Sequence, residues 1–292
     1  MVGRAPEEDQ RNGTMRVEHT FHHEAMNTEF EVVIAQEEVD FGLARYAAQM
    51  VFNEVDRLEE ELSRFKPTSQ IWRLGMLNAG ESMHVDFAAW DCLSLAKAVY
   101  AETNGAFDIT LGPLMSLWRN PDGSQRIPLP GELDASRERM GMHLFDLDAE
   151  NLRVTVHTDH MLFDLGAVGK GYALDQAVRV LEQEGIYSAF ISAGESTLVG
   201  LGPQGWPVTV HLDEPQTLQL AGDALSCSGF AVQGNHLMDP RTLEPVVVDA
   251  RRSYVLAPTA SLSDALSTAF LIMTPDEISA VLQNHPQVRR LA

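Results

Sequence analysis

Asp164-Leu165-Gly166-Ala167-Val168-Gly169-Lys170-Gly171-Tyr172-Ala173 follows a run that reads as a strand and opens a run that reads as a helix. Glycines at such a turn let a phosphate approach the backbone, and the start of the helix offers free N–H groups. Two parallel-sheet motifs use that device, and neither is present. A P-loop has a Gly, four intervening residues, then Gly-Lys followed by Ser or Thr; here Asp164 takes the first place and Gly171 the last. The dinucleotide fingerprint is Gly-x-Gly-x-x-Gly, and Gly166, Gly169 and Gly171 have the wrong spacing for it. A tight strand-to-helix turn with no ligand accounts for the glycines equally well.

Outward from this turn, strands and helices are mixed without a regular β-α-β alternation. Towards the N-terminus, Phe30-Glu31-Val32-Val33-Ile34 reads as a strand. From about Val39 to Leu62, Ala44, Ala47, Val51, Val55, Leu58 and Leu62 recur at the period of an amphipathic helix. A second helix starts at Asp86, a good N-cap, and runs through Trp90, Leu93, Ala96, Val99 and Tyr100 to a stop at Asn104-Gly105. Residues 119–142 hold Asn120-Pro121-Asp122-Gly123, Pro128, Pro130 and Gly131, a loop composition, and Leu152 to His157 alternates like a half-buried strand. Towards the C-terminus, a helix from Ala173 to Glu184 ends at Gly185, and strands follow at Ala189–Ile191 and Trp206–Leu212. The last helices run from about Ser263 to Met273 and after Pro275. Hairpin-like strands outnumber crossovers, so the expected class is α+β: one unit of mixed antiparallel sheet with flanking helices. Residues 1–15 read as a polar tail and 16–292 as a single domain, with the helices at 39–62 and 86–103 candidates for a lobe of their own.

Composition narrows the function. The 292 residues are 45% apolar and carry a formal charge of −21, a balance that repels nucleic acid and anionic membrane surfaces. A polyanionic small molecule stays admissible where a metal or helix N-termini neutralise it locally. Cys92 and Cys227 are too few for a disulfide framework or a four-cysteine zinc site. No run approaches the roughly 18 apolar residues of a membrane span, and no apolar stretch marks a signal near the N-terminus. The expectation is a protein without membrane insertion, cytoplasmic as given and periplasmic if a signal was removed.

Two further stretches hold candidate chemistry. Asp264 and Thr268 are four apart, so a helix turns both oxygens to one side, and carboxylate with hydroxyl suits Mg²⁺ or Ca²⁺ better than zinc. Asp264 as a helix N-cap and Thr268 as an ordinary helical residue is the simpler account of the pair. Asn235-His236-Leu237-Met238-Asp239-Pro240-Arg241-Thr242 places His236 just before a turn, where it is structural, a general base or a ligand contact. His22 and His23 find no third ligand at metal spacing.

Taken in order, these segments resemble the FAD:protein FMN transferases, long described as thiamine-biosynthesis lipoproteins. The likeness runs from about Ala25 to Met273 through Met26-Asn27-Thr28, Leu62-Ser63-Arg64-Phe65-Lys66-Pro67-Thr68-Ser69 and Asn104-Gly105-Ala106-Phe107-Asp108-Ile109-Thr110. It continues through Gly112-Pro113-Leu114, Leu117-Trp118, Asp164 to Asp175, Ala193-Gly194-Glu195, Ser228-Gly229, Asp239-Pro240-Arg241-Thr242 and Asp264-Ala265-Leu266-Ser267-Thr268-Ala269. Each piece is weak alone; their order over the chain is specific. Departures fall on the rim: Asn27 and Leu243 stand where the family has Gly, Gln70 and Trp72 where it has Glu and Ser, Gly75 where it has Asn, and Cys227-Ser228-Gly229-Phe230 varies a Thr-Ser-Gly-Asp-Tyr run.

The resemblance implies Mg²⁺-dependent transfer of the FMN half of FAD to a threonine hydroxyl of a target flavoprotein, with release of AMP. It implies magnesium ligands at Asp264, Thr268 and the backbone carbonyl of Gly169. It places Met26 and Phe65 against the isoalloxazine, Ala106, Phe107 and Asp108 along the flavin or ribityl chain, and Gly166 and Tyr172 beside the FAD. Gly194 and Glu195 would hold the adenosine half. His236 would lie near the pyrophosphate and take the threonine proton, with Asp264 the next candidate base. An FAD pyrophosphatase using water as nucleophile and an FAD-binding protein without turnover are the rival readings.

Overall fold

A computed structural model describes residues 2–4, 17–118, 124, 126–212, 214–229, 238–246 and 252–291. In chain order, β1 (Val2–Arg4) precedes a hairpin of β2 (His19–Ala25) and β3 (Thr28–Ile34), then α1 (Phe41–Leu62), α2 (Gln70–Leu74), β4 (Ser82–His84), α3 (Phe87–Glu102), α4 (Gly112–Leu117) and α5 (Pro130–Arg137). A second hairpin, β5 (Phe145–Asp148) and β6 (Arg153–Val156), leads to α6 (Gly169–Gln183). Then come β7 (Ala189–Ala193), β8 (Thr197–Gly200), β9 (Trp206–Val210), β10 (Gln216–Leu220), β11 (Ala224–Gly229), β12 (Met238–Asp239), β13 (Glu244–Pro245), β14 (Arg252–Ala257), α7 (Ala260–Ile272), α8 (Pro275–Asn284) and β15 (Arg289–Leu291).

A seven-stranded sheet in the order β15-β14-β11-β8-β7-β3-β2 is the frame, antiparallel at every pairing. Strand alternation gives it two apolar faces. Phe30, Val32 and Ile34 of β3, Val199 of β8 and Val255 of β14 point to the side covered by α1, α6 and α7. Val33, Leu198, Tyr254 and Leu256 point to the other side, where β9 brings Trp206, Val208 and Val210. The three-stranded sheet β1-β9-β10 covers that second face, and β4-β6-β5 forms a separate sheet. The expected α+β class of antiparallel sheet and flanking helices is therefore the observed one.

Local signals explain most elements. Asp40 caps α1 by accepting from the Leu43 N–H at 2.8 Å, and the apolar stripe from Ala44 to Leu62 is buried. That stripe shares one core with Leu93, Ala96 and Val99 of α3 and with the sheet, so the two helices form no lobe of their own. The loop expected over 119–142 contains α5, which begins at Pro130: proline at a first helical position has no N–H to lose, and Glu132 accepts from the Leu129 N–H at 2.8 Å. Within the expected polar tail, Val2–Arg4 pairs with Val208–Val210 of β9, a backbone contact to which side-chain polarity is blind; residues 5–16 lie outside the described residues. Among the described residues no helix is long and apolar enough to cross a membrane.

Candidate active site

The glycine-rich turn from Asp164 to Ala173 is the joint between α6 and α7. α6 begins at Gly169, so Gly171 sits in its first turn. A Cβ there would lie 2.3 Å from the Ala260 carbonyl oxygen and 2.7 Å from Ser261 Cα, and only glycine lets the start of α7 seat so closely. One helical turn on, Asp175 accepts from the N–H groups of Ala260 and Ser261 at 2.7 and 3.0 Å, capping α7 from a neighbouring helix. The local cap is Thr259, which leaves Asp264 inside the helix and not at its N-cap.

Seated this way, Asp264 faces α6 and accepts from the Gly171 N–H at 3.2 Å. The residue is 4% exposed, and burial pushes its pKa above the usual range while the Lys170 charge, the Gly171 N–H and the Thr197 hydroxyl pull it back. Thr268, one turn along, has its Oγ1 3.3 Å from the Asp264 carbonyl oxygen and 3.0 Å from Ser228 Oγ, which is itself 2.8 Å from Ser267 Oγ. A buried carboxylate against the first backbone turn of α6, with the Thr268 hydroxyl one turn along the same helix, is a hard-oxygen set, the kind Mg²⁺ takes. Among the described residues there is no group of three or more His, Cys, Asp and Glu able to hold a metal, so carbonyl and hydroxyl oxygens would have to complete the shell, as the expected Gly169 and Thr268 would.

In front of this joint lies a cleft of about 560 Å³ whose lining includes Met26, Phe65, Gly166, Gly169 and Lys170. Four residues assigned from the resemblance thus meet in one cavity. Met26 and Asn27 form the two-residue turn of the first hairpin with φ of 50° and 58°, the left-handed pair such a turn demands. Asn tolerates that region, so Asn27 can replace the family's Gly. Asp164 Oδ1 accepts from the Gly166 N–H at 2.9 Å, and Lys170 Nζ donates to the Gly166 carbonyl at 3.0 Å.

Other expected residues lie elsewhere. The side chains of Ala106 and Phe107 are in the core, 1% and 2% exposed. Asp108 lines a second cavity of about 220 Å³ with Tyr100, Arg137, His143 and Arg241. Burial raises its pKa against two hydrogen bonds from Thr110, N–H at 2.7 Å and hydroxyl at 2.6 Å. Tyr172 is buried and its hydroxyl donates to Asp91 at 3.0 Å; burial and that carboxylate both raise its pKa, so it stays protonated. Gly194 turns the chain between β7 and β8 at φ 58°, where a Cβ would lie 2.3 Å from Thr28 Oγ1, and Glu195 is exposed. His236 lies in 230–237, outside the described residues. Arg241 of the Asp-Pro-Arg-Thr turn ties Asp239 at 3.0 Å to Glu277 at 2.8 Å. The sequence reading gave no role to Lys170, Ser228 or Asp175. The glycine run pointed at Lys170 by adjacency alone, and the contacts of Ser228 and Asp175 span dozens of residues.

Known proteins are similar to this chain over most of its length. The ApbE family model matches residues 26–291. The FAD:protein FMN transferase of Salmonella typhimurium is 30% identical over 264 residues, 82% of this chain and 75% of that protein; that of Escherichia coli is 27% identical over 256 residues, 80% and 73%. The flavin transferase ApbE from Vibrio cholerae superposes with a TM-score of 0.84 at 20% identity, covering 95% of this chain and 93% of that one. The ApbE protein from Thermotoga maritima does so at 0.79 and 25%, covering 94% of each. With the glycine-rich joint, the cleft and the buried Asp264 all inside the matched span, the chain belongs to the ApbE family.

Proposed function

We propose that the protein is an FAD:protein FMN transferase that moves FMN from FAD to a threonine hydroxyl of a target flavoprotein and releases AMP, with Mg²⁺ as the metal. The observation that carries the site assignment is the Gly171–Asp264 contact: it puts the one buried carboxylate of α7 behind the wall of the cleft, against the helix turn that supplies Gly169. Curated relatives bearing the transferase name support the reaction.

In the reaction, the threonine Oγ forms a bond to the FMN phosphorus, the bond from that phosphorus to the bridging oxygen breaks, and the oxygen leaves with AMP. Mg²⁺, when bound, supplies positive charge to the pyrophosphate and to the phosphate that leaves. Asp264, Thr268 and the Gly169 carbonyl would hold it. Gly166 and the start of α6 let phosphate oxygens approach backbone N–H groups, and Met26 and Phe65 offer apolar surface to the flavin. The family resemblance assigns the threonine proton to His236, with Asp264 the next candidate; base assistance of this kind contributes on the order of 10²–10⁴ in rate.

Incubation of the pure protein with FAD and Mg²⁺, with and without an acceptor protein, tests the reading. AMP formed together with covalently flavinylated acceptor is the expected result. AMP without acceptor makes the protein a pyrophosphatase, and no AMP in either case makes it a binder.

A further inference from the structure

Within Leu62-Ser63-Arg64-Phe65, Arg64 forms an ion pair with Asp164, and both residues line the cleft. Its Nε lies 3.2 Å from Asp164 Oδ2, and its guanidinium carbon sits 4.3 Å from the centroid of the Phe65 ring. The two oxygens of Asp164 are divided: Oδ2 meets Arg64, and Oδ1 accepts from the Gly166 N–H. The Asp164 N–H donates to the Ile109 carbonyl at 2.6 Å, fixing the carboxylate's own backbone. On the other side, the Phe65 N–H donates to Ser63 Oγ at 3.2 Å, and the ring is 75% exposed at the cleft. An exposed phenyl ring on a loop would otherwise sample several rotamers, and here a planar cation lies against it.

We propose that Arg64 is a positioning residue for FAD: it holds the Phe65 ring as a stacking surface for the isoalloxazine and pins that surface to the glycine-rich turn. The inference rests on the reading of the cleft as the FAD site. The Arg64–Asp164 tie sets the distance between the flavin end and the phosphate end of the cleft before FAD arrives, which lowers the ordering cost of binding. Both partners are partly exposed, 31% and 23%, so the pair adds little to global stability and its loss should be felt at the site.

The test uses Arg64→Ala and Asp164→Asn, each titrated with FAD and with riboflavin by flavin fluorescence, and assayed for transfer to the acceptor. Asn keeps an oxygen for the Gly166 N–H, so the second variant cuts the tie and spares the turn. Both variants should weaken FAD and riboflavin alike, by about three- to tenfold, and raise the KM for FAD with kcat at saturation held. The double variant should lose no more than the worse single one, and Arg64→Lys should recover only part. Wild-type flavin affinity in both single variants overturns the proposal and leaves the FAD reading standing. Loss of FAD with riboflavin unchanged also overturns it, because Arg64 is then a phosphate ligand. Failure of the wild-type protein to bind FAD in the same titration removes both.

Discussion

Leu243 holds φ at 63°, a region that costs an L residue with a side chain about 1–2 kcal/mol. It is the place where the resembled family has glycine. Here the side chain is 3% exposed and packs with Leu114, Met140 and Met238, so burial offsets the strain. Leu243→Ala removes the burial and keeps the strain; Leu243→Gly removes both but loosens the unfolded chain. Relief of strain exceeds that entropic loss by about 0.5–1 kcal/mol. In denaturant titrations both variants should be less stable than wild type, with glycine the milder; an alanine variant as stable as the glycine one would refute the strain. At the proposed metal site the residue argument is electrostatic. Asp264→Ala removes the set's formal charge and Thr268→Ala only a neutral oxygen, so Mg²⁺ affinity should fall further in the first. Retention of Mg²⁺-dependent turnover near wild type by Asp264→Ala would remove the carboxylate from the metal set.

Among the elements, the α6–α7 joint carries the site, and its tolerance is small. Gly171→Ala would put a methyl group 2.3 Å from the Ala260 carbonyl oxygen, a backbone atom that yields only if α7 moves. Overpacking of this kind costs about 1–3 kcal/mol, and the displaced helix takes Asp264 and Thr268 with it. The variant should therefore lose Mg²⁺ affinity out of proportion to its fall in Tm, whereas Ala173→Gly, two residues on, should cost stability alone, about 1–2 kcal/mol from helix propensity and the lost buried methyl together. Equal metal affinity in Gly171→Ala and wild type would show that the joint does not set the ligand spacing. The same joint shows where local pattern stops. α1 is written in one stripe of apolar residues and a capping Asp40, and the spacing of Asp264 and Thr268 puts both on one helical face. The true starts of α6 and α7 lie upstream of Ala173 and Ser263, because glycine run and Asp175 cap act through tertiary contact. α5 is hidden by Pro130, the proline that serves its first turn, and β1 by a polar context that backbone pairing ignores. Motif order assigned Met26, Phe65, Gly166 and Gly169 to cofactor and metal, and the four line one cleft; it carries no information on burial, which puts the Ala106 and Phe107 side chains in the core.

Taken whole, the molecule sets its net charge against its cleft. The chain carries a formal −21, while the charged side chains lining the cleft include two acids, Glu59 and Asp164, and two bases, Arg64 and Lys170. An anionic dinucleotide approaching from solution meets a repelling far field and a locally neutral mouth. At about 10 mM ionic strength the Debye length is roughly 30 Å, long enough for the whole charge to act; at 0.15 M it is roughly 8 Å, and only the cleft's own groups remain. Added monovalent salt should therefore speed FAD association, by about two- to tenfold over that range, the reverse of what a cationic pocket on a neutral protein would do. Stopped-flow flavin fluorescence in KCl, without divalent ions, measures it directly. Arg64→Ala and Lys170→Ala should steepen the salt dependence, since each removes a local attraction and leaves the far field in place. An association rate that falls as salt rises would mean that the bases of the cleft, and not the acidic surface, govern capture of the cofactor.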